Sequence, residues 1–136
     1  MSTHALLGLK HKDGKITGAY IHYDGYPEHM IGAIVDFVQK KSLTGLFLTL
    51  VQGQEAGGIR AFNARNGTTF SPYNDGPYII DENTWDLDDI NLPHYKYLVD
   101  IVDNTVEWHP TGECLNGDVI DIDGFEGTYE RSQIRT

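Results

Sequence analysis

Tyr20-Ile21-His22-Tyr23-Asp24-Gly25-Tyr26-Pro27-Glu28 is the stretch on which the fold turns. Before it, Ile16 to Tyr23 alternates as a strand does, with Tyr20 and His22 on one face and Ile21 and Tyr23 on the other. After it, Met30, Ile31, Ile34, Val35 and Val38 recur at the spacing of one buried helical stripe. Between strand and helix lies a turn. Asp24 suits a helix cap, Pro27 the first helical turn, and Glu28 its electropositive end. Gly25 is expected to adopt a backbone conformation that side chains resist, and Asp24 to bond local amides.

Working outward, Ala5 to Leu9 is a short apolar run, and Asp13-Gly14 marks a hairpin turn into Ile16 to Tyr23. The helix is expected over residues 28–40, with Lys40 and Lys41 at its electronegative end. Leu43 to Val51 fits either a helix or a strand, and Ser42 as a cap tips the choice to helix. Residues 63–93 are rich in Asn, Gly and Pro and read as a long loop. Tyr95 to Val102 reads as a strand, Asp103-Asn104 as a turn, and Thr105 to His109 as the return strand. Val119 to Ile122 is a candidate last strand before a polar tail. The expected class is α+β: a mainly antiparallel sheet with one or two helices packed on it, as a single domain over residues 1–136.

Charge is unevenly placed along these elements. Residues 1–65 hold 7 bases and 5 acids, whereas residues 66–130 hold 15 acids and a single base, Lys96. The whole chain carries −10, which argues against direct nucleic-acid binding by phosphate neutralisation. Cys114 is the only cysteine, so a disulfide scaffold is excluded. No apolar run is long enough for a membrane span. Met1-Ser2-Thr3-His4 lacks the layout of a signal peptide, and a reducing cytosol is the expected compartment.

Motifs for catalysis are weak. His22, Asp24 and His29 lie close in sequence, but the chain has no His-x-His or His-Glu-x-x-His spacing, and no metal or other cofactor is expected. Asp121, Asp123, Gly124 and Glu130 match part of a calcium loop, yet its first position is Val119, and the simpler reading is a strand followed by an acidic turn. Cys114 lies among acids, which oppose a thiolate. A small hydrolase using His22 with Asp24 or Glu28 therefore ranks last. Two features point to binding instead. Tyr20, His22, Tyr23, Asp24 and Tyr26 gather aromatic and polar groups at a strand end, suited to stacking or an interface. Asp81, Glu82, Asp86, Asp88 and Asp89 form an acidic stretch suited to a basic partner.

The stretch from Tyr20 to Glu28, opening an apolar-striped helix, resembles a family of small, mostly uncharacterised tailed-phage proteins. These share a short hairpin, then Tyr-x-His-Trp/Tyr-Asp-Gly-Tyr-Pro-Glu and a helix. Tyr95-Lys96-Tyr97-Leu98 and Trp108 are similar to a later strand, turn and Trp of the family. The likeness is strong over residues 3–40 and loose over 90–109. It implies a phage or prophage origin and a place of action in the host cytoplasm. It supplies no activity and no catalytic residues. The first expectation is a non-enzymatic protein that binds and inhibits a host factor, a component of antiviral defence, through its acidic surface. The alternative is a binder that sequesters a nucleotide signal, with aromatics near Asp24 stacking on the base. That alternative requires Arg60, Arg65 and nearby amides to offset the negative charge.

Overall fold

The computed structural model describes residues 3–55, 58–62, 81, 85, 95–110, 117–125 and 129. Six strands form one sheet: β1 (Ala5–Lys10), β2 (Ile16–Tyr23), β3 (Ile59–Ala61), β4 (Tyr95–Asp100), β5 (Thr105–Pro110) and β6 (Asp118–Asp121). Their order is β3-β2-β1-β4-β5-β6, and one long helix, α1 (Pro27–Glu55), packs across one face. The class is α+β.

The sheet is mixed. The pairs β1–β2, β4–β5 and β5–β6 are antiparallel, but β1–β4 and β2–β3 are parallel. The two parallel seams follow from long connections. The strand pair β2–β3 is joined through α1, and a chain returns to a parallel neighbour only by a crossover of about a dozen residues or more. β4 docks beside β1 in the same way, with Leu7 opposite Tyr97.

The central position of β1 explains its composition. Ala5 to Leu9 is buried throughout because both faces are covered. Ala5, Leu7 and Leu9 meet the helix side, with Ala19 and Ile21 of β2, Tyr97 and Val99 of β4, and Val106 and Trp108 of β5. From α1 come Met30, Ile31, Ile34, Val35, Phe37, Leu46 and Leu50. Leu6, Tyr20 and Leu98 face the other way and pack with Trp85. The Trp85 ring lies on Gly8, where an added Cβ would come within 2.7 Å of it.

The helical reading of both Met30–Val38 and Leu43–Val51 holds, with a break at Ser42. There φ is 74° and ψ 167°, a region that side chains avoid. The Ser42 Oγ accepts the Gly45 amide at 3.3 Å, so Ser42 caps the second helical segment. Val38 is only partly buried; Phe37 takes the deeper place, against Phe62 at 5.4 Å. β6 is followed by a turn, as expected. The loop of residues 63–93 lies outside the described residues except at Asp81 and Trp85, and so does most of the polar tail.

Candidate functional site

The turn after β2 is built by close approach. Tyr97 Oη, fully buried, donates to the Gly25 carbonyl at 2.5 Å, and the Gly25 amide donates to the Thr3 carbonyl at 2.9 Å. A Cβ at Gly25 would lie 2.8 Å from both the Ala5 Cβ and the Thr3 oxygen. Gly25 is therefore required by space. The left-handed residue is Asp24, at φ 58°, which corrects the sequence expectation for this pair. Asp24 is not the helix cap either: the amides of His29 and Met30 go to the Tyr26 carbonyl, and Pro27 opens the helix.

The aromatic constellation divides around this turn. Tyr20 is buried, and its hydroxyl is 3.0 Å from His22 Nδ1. His22 stacks on His4, with ring centroids 4.6 Å apart and planes 24° apart. His4 Nδ1 lies 2.8 Å from the His22 carbonyl oxygen and donates to it. Tyr23, the last residue of β2, lies edge-on to His22 at 4.6 Å and is 40% exposed. Alternation alone would have kept those two rings apart. Tyr26 pairs instead with His29, at 6.1 Å, and His29 Nε2 donates to the Phe62 carbonyl at 2.8 Å.

β3 brings Arg60 to this cluster, and the approach to β1 brings His4, which the sequence reading left out. The pairs Ile21–Ile59 and Tyr23–Ala61 set Arg60 beside His22. The His22 imidazole is held below its usual range, first by burial, then by the positive charges of His4 and Arg60. Arg60, His22 and His4 thus form a row across β3, β2 and the start of β1. Neither Arg60 nor His4 is marked by any local motif; strand pairing brings them together. His22, Asp24 and His29 do not converge, and among the described residues no three of His, Cys, Asp and Glu are grouped to hold a metal ion.

Acidic groups collect elsewhere. The half of the sheet from β4 to β6, with its turns, carries Asp100, Asp103, Glu107, Asp118, Asp121 and Asp123. Lys96 is the only described Lys or Arg there, and it is buried, donating to the Trp85 carbonyl with its ammonium 5.8 Å from the Trp85 ring centre. The half from β1 to β3 with its turns holds Lys10, Lys12, Lys15 and Arg60 against Asp13 and Asp24. Of the acidic stretch singled out in the sequence, Asp81 is described and partly buried, and its carbonyl accepts the Trp85 amide. Glu82, Asp86, Asp88 and Asp89 lie outside the described residues.

No protein-family model, curated protein or solved structure matches this chain. Among the described residues, no helix is long and apolar enough to cross a membrane.

Proposed function

We propose that this is a phage protein that binds a basic surface on a host protein and inhibits it, without catalysing a reaction. The observation that carries this reading is the lateral division of charge. Six acids lie along β4 to β6 and their turns, with one buried lysine as the only described Lys or Arg on that side. Such a surface raises the local concentration of a positively charged partner and speeds encounter. Asp103, Asp121 and Asp123 are exposed, so their field reaches solvent. The resemblance of Tyr20 to Glu28 to a phage family supports the origin and, with it, the host cytoplasm as the place of action. A component of antiviral defence that handles nucleic acid has the required basic surface.

The experiment compares the wild-type protein with a variant carrying Asp100→Asn, Asp103→Asn, Asp121→Asn and Asp123→Asn. Asn keeps the acceptors that hold the Val102, Asp103 and Asp123 amides, so the turns survive. The wild-type protein should capture host proteins of high pI at low salt and release them as the screening length falls from ~10 Å at 0.1 M to ~3 Å at 1 M. The variant should associate more slowly with the same partner and dissociate at an unchanged rate. An identical association rate for the two proteins at low salt would overturn the acidic-surface reading.

A further inference from the structure

Apart from the acidic side, we propose that Arg60, His22 and His4, with the Tyr23 ring beside them, bind the phosphate and base of a mononucleotide-like ligand. Three features of the fold support this site, and none depends on the charge of β4 to β6.

The first is convergence. Arg60 comes from β3, His22 from β2 and His4 from the approach to β1, and strand register alone sets them side by side. The Arg60 guanidinium, set beside the two imidazoles, offers directed N–H donors, which suits a phosphate. The second is preorganisation. Tyr20, 6% exposed, holds His22 at 3.0 Å, and the His22 carbonyl holds His4 at 2.8 Å. The two imidazoles are thus fixed in a stack before any ligand arrives. The third is the presence of an exposed aromatic ring. Tyr23 lies edge-on to His22 and keeps 40% of its surface open, so a base can stack there while the phosphate meets the row.

Charge argues in the same direction. Burial first, and then conflict with the positive charges of His4 and Arg60, lowers the proton affinity of His22. An anion removes the conflict. A divalent cation does not, because Arg60 opposes it and no third His, Cys, Asp or Glu joins the imidazoles among the described residues. In a chain of −10, anions are not drawn in by the overall field, so affinity has to come from this local row.

The test uses the full chain with AMP, UMP, adenosine and inorganic phosphate as probes, followed by imidazole NMR shifts and calorimetry. AMP or UMP should shift the His4 and His22 resonances saturably, and adenosine should bind at least about tenfold more weakly. Arg60→Gln and His4→Gln should each lower nucleotide affinity about tenfold at an unchanged melting temperature, with Arg60→Lys between Arg60→Gln and wild type. Three results would overturn the proposal: no shift at millimolar nucleotide, adenosine binding as tightly as AMP, or full affinity in Arg60→Gln. Phosphate binding as tightly as AMP would overturn the nucleotide assignment. The acidic-surface reading is unaffected by any of these outcomes, since all four acids of its test remain in place.

Discussion

Replacing Tyr97 by Phe removes one oxygen atom and changes nothing else in the volume of the core. That oxygen donates to the Gly25 carbonyl at 2.5 Å, in a place where Tyr97 has no exposed surface. Gly25 is itself buried, so water cannot replace the lost donor without entering the packing of Ala5 and Thr3. The expected cost is that of leaving a buried carbonyl unpaired, about 1–3 kcal/mol. For a domain of this size each kcal/mol lowers the melting temperature by roughly 3–5 °C, so the variant should melt lower by roughly 3–15 °C. Urea unfolding is the cleaner assay. The midpoint should fall while the slope stays constant, because the surface exposed on unfolding is unchanged. The Gly25 amide, bonded to the Thr3 carbonyl, should also exchange faster with solvent. A midpoint equal to that of the wild type would refute the idea that this bond ties the turn after β2 to β4.

Other variants probe the remaining supports. Ile34→Asp puts an unpaired carboxylate in a fully buried site between α1 and the sheet, and should abolish cooperative unfolding, since the cost is on the order of the whole stability; a normal melting curve would show that this face is not core. Ser42→Gly gives up the bond to the Gly45 amide but relieves a φ of 74°, worth roughly 1–3 kcal/mol, so the net effect should be a gain of up to about 2 kcal/mol; a loss in urea titration would mean that the break is not strained. His22 protonates less readily in the folded chain than in the unfolded one. Its contribution to stability is therefore complete above about pH 6.5 and is lost as pH falls through 6.5 toward the lower folded value. His22→Gln should flatten that part of the stability–pH curve, and an unchanged slope would remove His22 as its source.

Much of the fold was legible because it rests on local periodicity. The alternation from Ile16 to Tyr23, the stripe from Met30 to Val35 and the paired runs around Asp103-Asn104 each imply their element without reference to the rest of the chain. The same holds for the cap: Ser42 and the apolar spacing after it decided between helix and strand. Val38 was read as core, yet it is only partly buried, and Phe37, packed against Phe62, is the deeper residue.

What only the tertiary structure decided is the set of contacts between residues far apart in sequence. The parallel pairing of β1 with β4, and of β2 with β3, depends on crossovers whose end points no local pattern specifies. Gly25 looked like a residue needed for its backbone freedom. It is needed because β1 and the segment before it approach too closely for a Cβ, a fact held by residues 20 positions away. The row of Arg60, His22 and His4 has no sequence signature, because neighbours on β3, on β2 and just before β1 share no spacing along the chain. The charge asymmetry was countable in the sequence, but its meaning was not. For the six described acids of β4 to β6 and their turns, it became one side of the sheet only because these strands stack outward from β1 in a single direction, away from β2 and β3.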